Sequence, residues 1–482
     1  MNRPIRRMAT AALALFGLLF LNVNYLQVVR ADALRNNPRN NRLLLDEYGR
    51  PRGDIIAGDA TLVESRATGD RLKFLRVYAD GRPDVAKAFA PVTGYYSLVY
   101  GATGVERAYN DALSGADDRL FVRRLSDILT GQEPQGGSVR LTIDPALQLL
   151  AARQLGNRRG AVVAIEPKTG KVLAMVSSPS YDPNVLSSHK PEQIRAANER
   201  LNEDRNRPLQ NRGAEEVYPP GSTFKVITAA AAIENGMRPD TQVACSSEIS
   251  LPLTRNVKLR NFSGESCPSR VTLREALQHS YNTSFATLGM ELGDKVGDMA
   301  ERFGFNASPG YPLRSVDSVF PQGPNAPQLA QSAIGQFDVR ATPLQMALVT
   351  AAIANGGRMM RPYVVDEVLG PDLEVFDRTS PDELRRPISG ATAAALTDMM
   401  IAVVQGGTGR RAAIPGVQVA GKTGTAQNAG PAHAWFVGFA PANDPKIAVA
   451  VLVENGGGSG DNGTGGRVAA PIARAVMEAA LR

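Results

Sequence analysis

The chain is poor in the residues that usually bind metals and nucleic acid. Its 482 residues include two cysteines, three histidines and one tryptophan. His189, His279 and His433 are scattered, and no C-x-x-C or H-x-x-x-H spacing occurs, so we expect no metal site and no cofactor. Basic residues adjoin at most in pairs, and aromatic residues make up 6% of the chain without an interleaved pattern. Nucleic acid is therefore not expected as a partner.

Charge is missing from one long run near the N-terminus. The residues from Met8 to Val29 carry no charged side chain, and three arginines precede them. A bilayer needs about 20 apolar residues, and flanking arginines stay in the cytoplasm. We therefore predict that residues 1–30 form a cytoplasmic tip and a single membrane anchor, with the rest of the chain on the outer side. The alternative is a cleaved signal peptide ending near Ala31-Asp32-Ala33.

The remaining composition is that of a globular protein with more than one domain. It is 43% hydrophobic and 21% charged, and its net charge of +7 favours an anionic partner. The polar, asparagine-rich stretch 36–43 has the composition of a linker. We predict a membrane-proximal domain over residues 31–140, interpreted as a spacer or docking module, and a larger domain over 141–482.

The only two cysteines leave two readings open. Cys245 and Cys267 lie in a stretch rich in serine, proline and threonine, which is typical of a surface. In an exported protein they can close one disulfide. Two unpaired thiols are the alternative.

The order of strand and helix patterns predicts an α+β fold for the larger domain. Residues 160–180 alternate on both sides of the turn at 167–170 and predict a hairpin. Three more strand candidates, GVQVAGKTGT, HAWFVGFAP and KIAVAVLVEN, lie near the C-terminus. Helices are predicted at TGVERAYNDAL, PALQLLAARQL and VAAPIARAVMEAALR, and along most of the stretch 222–405. We therefore expect an antiparallel sheet built from both ends of the domain, with an all-helical insertion between them.

The letters GVQVAGKT at 416–423 satisfy the pattern of a phosphate-binding P-loop. A P-loop needs a helix directly after its lysine, because the helix N-terminus supplies the N–H groups that hold phosphate. Here Gly424, Gly430 and Pro431 follow Lys422. The residues before the lysine also alternate like a strand. We interpret the match as a coincidence on a strand.

A serine and a lysine lie three residues apart at the start of a predicted helix. Pro219-Pro220-Gly221 precede Ser222, and an uninterrupted helical pattern runs from there to Ile233. Ser222 and Lys225 thus share one helix face. A serine hydroxyl becomes a nucleophile when a nearby base takes its proton, and a desolvated lysine can be neutral enough to do so. The competing interpretation is a helix cap and a solvated lysine.

Two further triplets change the balance between these interpretations. Ser280-Tyr281-Asn282 follows a helix pattern, and Lys422-Thr423-Gly424 lies on a predicted strand. Each triplet is common alone. The ordered set S-x-x-K, S-x-N and K-T-G in helix, turn and strand contexts is hard to obtain by chance.

With these motifs the chain resembles the penicillin-binding proteins and serine β-lactamases, and most closely the monofunctional class B penicillin-binding proteins of actinobacteria. Further segments that look like that family are RGDII, GVERAYNDALSG, LTIDPALQ, GAVVAIEPKTGKVLAMVSSPSYDPN, NRGAEEVYPPGSTFK, AIGQFDVRATPLQMA and AGKTGTAQ. The resemblance implies an antiparallel five-stranded sheet flanked by helices, an all-helical subdomain, a smaller mixed N-terminal domain of the pedestal or dimerisation type and one transmembrane helix.

The resemblance also implies roles for individual residues. Ser222 would attack a D-alanyl-D-alanine stem peptide with Lys225 as its base, and Ser280 with Lys422 would relay a proton to the leaving amine. Asn282 would hold Lys225 and a substrate amide. The N–H groups of Ser222 and Thr425 would form an oxyanion hole. The substrate carboxylate would bind Lys422, Thr423 and Thr425, beside which Gly424 would let a peptide lie along the strand. We expect Trp435 to be core packing and assign His279 no role.

The implied function is a peptidoglycan D,D-transpeptidase of cell-wall synthesis in division or growth, inhibited by β-lactams that acylate Ser222. A D,D-carboxypeptidase, a non-catalytic β-lactam sensor and a division scaffold are the alternatives. No glutamate follows S-x-N in the setting that lets class A enzymes hydrolyse penicillin, so its turnover should be slow. The family also implies stem peptides as substrates, a SEDS-type glycosyltransferase as partner, and contact with the division or elongation machinery at the membrane.

Overall fold

A computed structural model of the chain describes residues 2–30, 48–117, 135–427 and 430–482. The linker predicted at 36–43, the signal-cleavage alternative at 31–33 and the domain boundary near residue 31 lie outside these ranges.

The N-terminal segment is one long apolar helix. Helix α1 spans Asn2–Asn24 and continues as a π-helical turn over Tyr25–Val29. Among the described residues, one helical span is long and apolar enough to cross a membrane, namely the 26 residues from Arg3 to Val28. None of its most apolar window is buried against the protein. The helix therefore fits the predicted single-pass anchor.

The membrane-proximal region is mixed, as its sequence patterns predict. Its strands are β1 Ile55–Ala57, β2 Ala60–Ala67, β3 Phe74–Tyr78, β4 Tyr96–Ser97, β5 Gly101–Ala102 and β6 Ser138–Leu141, and its helices are α2 Pro83–Thr93, α3 Gly104–Ala108 and α4 Asn110–Ser114. The helix predicted at TGVERAYNDAL is thus two short helices. Tyr109, with φ −116° and ψ 29°, separates them because it leaves the helical conformation.

The first elements of the larger domain follow the predicted order. They are α5 Pro145–Leu155, β7 Gly160–Ile165, β8 Val172–Ser178 and α6 Pro191–Glu203. Helix α5 begins where Asp144 Oδ1 accepts hydrogen bonds from the backbone N–H groups of Ala146 and Leu147, at 2.8 and 3.0 Å. Pro145 occupies the first turn, where its missing N–H costs nothing.

The stretch 222–405 is mainly helical but not helical throughout. Its helices are α7 Lys225–Glu234, α8 Leu273–His279, α9 Asn282–Leu292, α10 Lys295–Arg302, α11 Ala326–Ser332, α12 Pro343–Ala354 and α13 Gly390–Gly406. Short strands lie between them: β9 Gln242–Ala244, β10 Glu248–Ser250, β11 Lys258–Arg260, β12 Arg270–Thr272, β13 Met359–Met360, β14 Val365–Leu369, β15 Val375–Arg378 and β16 Glu383–Arg385. These strands have two to five residues, too few for a clear alternation in the sequence.

The C-terminal elements are β17 Ala420–Ala426, β18 His433–Ala440, β19 Ile447–Val453 and α14 Ala470–Ala479. Strands from both ends of the domain form an antiparallel five-stranded sheet in the order β17-β18-β19-β7-β8. This confirms the expected fold class. Helix α12 covers one face of the sheet, and α5 and α14 cover the other. Every residue of β19 is consequently buried, which is why its sequence is a continuous apolar run rather than an alternation.

A second sheet connects the two parts of the chain. Its strand order is β15-β14-β6-β1-β2-β3, so two strands from the larger domain extend a sheet that begins in the membrane-proximal region. Strand β6 pairs with β1 in parallel and with β14 antiparallel. A boundary drawn at residue 140 therefore falls within β6.

The two cysteines form a disulfide. Cys245 and Cys267 are bonded, with their Cα atoms 6.1 Å apart. Of the two readings that the sequence left open, the structure supports the bridge, which suits a domain outside the reducing cytoplasm.

Candidate active site

Ser222 lies in a tight turn that leads into a buried helix. The turn is a 3-10 helix over Gly221–Phe224, and α7 continues it from Lys225. The predicted helix thus starts with a 3-10 turn. Gly221 has φ +53°, and a Cβ atom there would lie 3.1 Å from Ala426 on β17, so only glycine fits. The Ser222 side chain is half-buried. Among the described residues, none makes a hydrogen bond to its Oγ.

Buried polar groups fix the segment that precedes this turn. Trp435 Nε1 donates to the carbonyl of Pro219 at 3.0 Å, and Trp435 is fully buried, as expected of a core residue. Tyr218 OH donates to Glu454 Oε1 at 2.9 Å, and Arg212 Nε donates to the same oxygen at 2.8 Å. Arg212 and Glu454 belong to none of the three sequence motifs and were not predicted. Together these bonds hold the backbone on which Ser222 sits.

Lys225 is fully buried and has three polar neighbours. Its Nζ donates to the carbonyl of Ser280 and to Asn282 Oδ1, both at 2.7 Å, and lies 3.2 Å from Ser280 Oγ. A neutral amine has two hydrogens and one lone pair. The two carbonyl oxygens can only accept, so they use both hydrogens, and the lone pair remains for a hydroxyl.

The protonation state of Lys225 follows from its surroundings. Burial lowers its pKa well below the ordinary lysine value, and the positive charge of Lys422 lowers it further. Both effects favour the neutral amine, which is the form that can accept a proton. Lys225 lies one helical turn from Ser222, so the arrangement can supply a base to that hydroxyl.

Ser280 turns the chain between α8 and α9. Its φ of 62° and ψ of 38° are left-handed, an uncommon conformation for a residue with a side chain. In this conformation its carbonyl and its hydroxyl both contact Lys225. Helix α8 reaches this point from a capping box of Thr272 and Glu275. Asn282 follows as the first residue of α9.

Lys422 approaches the same serine from the sheet. It is fully buried on β17, and its Nζ donates to Ser280 Oγ at 2.8 Å and to the carbonyl of Thr423 at 2.9 Å. Burial lowers its pKa to about 7. The three predicted motifs, far apart in sequence, are therefore joined through one hydroxyl.

Thr423, Gly424 and Thr425, which follow Lys422, contact groups other than Ser280. Thr423 Oγ1 lies 2.6 Å from Thr408 Oγ1, and Thr425 Oγ1 accepts from the N–H of Gly465 at 3.4 Å. A Cβ atom on Gly424 would lie 2.9 Å from the carbonyl oxygen of Pro220. Gly424 therefore allows β17 to pack closely on the turn that carries Ser222, and its predicted role of leaving room for a peptide stays a prediction.

The P-loop interpretation fails on the structure, as expected. Lys422 lies inside a strand, and that strand pairs along its length with β18. The described residues between β17 and β18 contain no helix. His279, to which no role was assigned, stacks on Tyr281 at a ring distance of 5.5 Å.

Two contacts of the site carry no signal in the sequence. Asn282 Nδ2 donates to the carbonyl of Arg260 at 3.0 Å, and Thr408 pairs with Thr423. A contact to a backbone carbonyl does not depend on the residue type, so the sequence cannot reveal it. A single threonine 15 residues before its partner belongs to no motif.

The eight predicted residues meet at β17, the edge strand of the five-stranded sheet. A cavity of about 720 Å³ lies elsewhere, between the membrane-proximal region and the larger domain, and includes Tyr95, Arg107 and Arg314 but none of the eight. Strand β17, by contrast, is the edge of its sheet. An edge strand is the place where an extended peptide can add to a sheet.

Comparisons with known proteins agree with this geometry. One family model, described as the penicillin binding protein transpeptidase domain, matches residues 160–478. Another, the penicillin binding protein A dimerisation domain, matches residues 52–139.

Related proteins match over their full length. The peptidoglycan D,D-transpeptidase PbpA of Mycolicibacterium smegmatis is 49% identical, over 100% of this chain and 99% of that protein. The ceftriaxone acyl-enzyme of penicillin-binding protein A from M. tuberculosis superposes with a TM-score of 0.86 at 47% identity, over 91% of this chain and 100% of the other. The penicillin G acyl-enzyme of that protein gives 0.83 at 47% identity, over 90% and 100%.

Proposed function

The chain belongs to the penicillin-binding protein transpeptidase family, and we propose that it cross-links peptidoglycan stem peptides through an acyl-enzyme on Ser222. It is a serine-type peptidoglycan D,D-transpeptidase of cell-wall synthesis, as its full-length relatives are. Related structures contain β-lactam acyl-enzymes. The observation that best supports the role of Ser222 is the buried, charge-poor amine of Lys225 one helical turn away, whose two hydrogens are taken by carbonyl groups.

In the acylation step, the Ser222 hydroxyl gives its proton to Lys225 while its oxygen bonds to the carbonyl carbon of the penultimate D-alanine. Lys225 is suited to this because burial and Lys422 favour its neutral form. The C–N bond to the terminal D-alanine then breaks. The leaving amine takes a proton through Ser280, whose hydroxyl contacts both lysines.

We further propose that the N–H groups of Ser222 and Thr425 hold the oxyanion. The carbonyl of Thr423 accepts from Lys422 Nζ, which suggests that it faces the unpaired edge of β17. Backbone groups two residues apart on a strand point to the same side, so the N–H of Thr425 would face that edge too. One such donor is worth about a hundredfold or more in rate.

The substrate carboxylate would bind Lys422, Thr423 and Thr425. Both threonine hydroxyls already have neighbours, Thr408 Oγ1 and the N–H of Gly465. These neighbours orient the hydroxyls before substrate arrives. In the second step an amine from a neighbouring stem peptide attacks the ester carbonyl and gives up one proton to the neutral base, the bond to Ser222 Oγ breaks, and the serine oxygen takes up that proton.

The test is to label the detergent-solubilised full-length chain with fluorescent penicillin and to map the modified residue by mass spectrometry. We expect one adduct, on Ser222, and none on Ser222→Ala. An adduct elsewhere would contradict the assignment. Incubation with a pentapeptide and an acceptor amine separates transpeptidase from carboxypeptidase, because the former yields cross-linked dimer and the latter only free D-alanine.

The setting of the enzyme is also a proposal. The arginines in the first turns of α1 favour a cytoplasmic N-terminus and an outer catalytic domain. We propose the division of the chain into an anchor (1–30), a pedestal or dimerisation domain (31–140) and a transpeptidase domain (141–482), supported by the two matched regions. A SEDS-type glycosyltransferase would supply glycan strands during division or elongation. Co-purification of the chain with such a polytopic protein from membranes would test this.

A further inference from the structure

The segment closed by the disulfide reaches into the active site. We call residues 245–267 the disulfide ribbon. Strands β9 and β12 pair up to Ala244 and Arg270, and the Cys245–Cys267 bond closes the ribbon just beyond that ladder. Its strands β10 and β11 form a hairpin. The last residue of β11, Arg260, offers its backbone carbonyl to Asn282 Nδ2 at 3.0 Å.

This carbonyl fixes which way the Asn282 side chain faces. The amide oxygen of Asn282 accepts from Lys225, and its nitrogen donates to Arg260 O. If the amide were rotated by 180°, its NH₂ group would face the lysine hydrogens and its oxygen would face a carbonyl, so both bonds would be lost. The other amide hydrogen of Asn282 remains for a substrate carbonyl. The ribbon therefore orients a group that contacts the base.

Asn261 connects the ribbon to the helix that carries Asn282. Its Oδ1 accepts from the N–H of Thr283 on α9 at 3.1 Å. Its Nδ2 donates to the carbonyls of Ser246 and Glu265, at 2.9 and 3.1 Å. Asn261 is 4% exposed, so water does not replace these bonds if they are lost.

The disulfide packs directly on the contact between Asn261 and Thr283, which we call the junction. Cys267 Sγ lies 3.8 Å from Asn261 Nδ2, and Cys245 Sγ lies 3.9 Å from Thr283 Oγ1. The hairpin beyond it has strands of three residues and exposed side chains, among them Leu253 at 85% and Phe262 at 53%. A hairpin this short with little buried surface is marginally stable by itself. The covalent bond therefore ties the two ends of the ribbon together, next to the contacts of Asn261 and Thr283.

We propose that Asn261 is a positioning residue for catalysis and that the Cys245–Cys267 bond holds it in place, so that reduction of the bond slows acylation of Ser222. The inference rests on the proposed role of Ser222. Reduction by an external dithiol converts the bridge to two thiols while the dithiol forms its own disulfide. The ribbon then shifts, Arg260 O leaves Asn282 Nδ2, and the amide no longer holds Lys225.

The first test compares oxidised and dithiothreitol-reduced full-length chain in the rate of acylation by fluorescent penicillin. We expect reduction to slow acylation by about tenfold or more, as for other displacements near 1 Å in an active site, and reoxidation to restore it. The double variant Cys245→Ser, Cys267→Ser should be slow and insensitive to dithiothreitol. An unchanged rate in the reduced chain and in the double variant would overturn the proposal.

The second test separates positioning from general loss of structure. Asn261→Ala should slow acylation and shift the acid limb of its pH profile to lower pH, because Lys225 loses an acceptor that stabilises its charged form. Leu253→Ser, which changes an exposed ribbon residue outside the junction, should keep the wild-type rate and profile. A slow Asn261→Ala variant with an unshifted limb would mean a structural role only and would overturn the proposal. If the oxidised wild-type chain is not acylated at Ser222, the proposed function fails instead.

Discussion

Lys225 and Lys422 share one hydroxyl group: their Nζ atoms lie 3.2 and 2.8 Å from Ser280 Oγ. Two ammonium groups so close together would repel each other inside a buried site, so the second proton is hard to keep. Burial lowers the pKa of both lysines, and Lys422 lowers that of Lys225 further. Ser280 thus brings Lys225, from the helical region, close enough to Lys422, on the sheet, for the charge of one lysine to change the pKa of the other.

The first prediction concerns the pH dependence of acylation by benzylpenicillin at concentrations far below saturation, where the rate reports the free enzyme. The rate should rise as pH increases through the depressed pKa of Lys225, because the base must be neutral. It should fall above about pH 7, where Lys422 loses its proton and its attraction for the β-lactam carboxylate. Stopped-flow measurement of the acylation rate between pH 5 and 9, in buffers of about constant ionic strength, would test this rise and fall. A rate still rising at pH 9 would contradict the role given to Lys422.

The second prediction distinguishes the contribution of Lys422 to the pH profile from that of Lys225. In Lys422→Met the neighbouring charge is gone, so one cause of the low pKa of Lys225 disappears and its pKa rises. The acid limb of acylation should therefore move to higher pH, and the decline above pH 7 should vanish. The maximum rate should also fall by about tenfold or more, since a charge-assisted contact to the carboxylate is lost.

The matched control for this variant is Lys446→Met. Lys446 is an exposed lysine that pairs with Asp444 outside the site, so its removal should leave the profile unchanged. If the acid limb of Lys422→Met coincides with that of the wild type, the lysines do not interact in the way described.

Much of this site could be predicted from the sequence because each motif depends on residues that are close together in the chain. The spacing of Ser222 and Lys225 and the strand around Lys422 depend on neighbours within a few residues. The hydrophobic periodicity of the sequence did not predict that the three motifs lie close together in space. This proximity was implied by the family resemblance, and the structure brings Ser280 to both lysines.

Other features could not be predicted because they depend on contacts between distant segments. Strand β14 pairs with β6, where Leu369 lies opposite Ser138, a residue far earlier in the chain. The Arg260 carbonyl that orients Asn282 is a backbone group with no sequence signature. The packing of Gly424 against the turn that carries Ser222 also joins segments far apart in the chain and has no sequence signal.

The third prediction concerns the stability of the membrane-proximal domain. Glu106 is fully buried, and its carboxylate accepts from Arg52 Nε at 2.7 Å and from Arg76 Nε at 2.6 Å. Burial alone would raise its pKa, but the two arginines outweigh burial and hold it below the ordinary value. Glu106→Gln would leave two buried guanidinium groups without a counter-charge, which costs about 3–5 kcal/mol.

Urea unfolding of the full-length chain at pH 7 would measure this loss. Because the folded pKa of Glu106 lies below the unfolded one, its stabilisation is present at neutral pH and is lost as pH falls through the folded value. The difference between wild type and Glu106→Gln should therefore shrink in acid. Glu64→Gln, which removes an exposed partner of Arg66, should change stability by less than about 1 kcal/mol.

The fourth prediction concerns the contact between β17 and the serine turn. In Gly424→Ala the new methyl group would lie 2.9 Å from Pro220 O, 3.0 Å from Thr223 Cγ2 and 3.0 Å from Trp435 Cβ. None of these neighbours is the end of a flexible side chain, so the strand and the turn must move apart, at a cost of about 1–3 kcal/mol.

The movement caused by Gly424→Ala would separate Ser222 from the proposed oxyanion donor on Thr425. Acylation by benzylpenicillin should therefore fall by about tenfold to a hundredfold, while far-UV circular dichroism stays unchanged. Gly390→Ala is the matched control, because a Cβ atom at that first residue of α13 has no neighbour closer than 3.8 Å. Alanine also favours the helix there, so this variant should acylate at the wild-type rate. Equal rates for Gly424→Ala and the wild type would mean that the spacing between strand and turn does not limit the reaction.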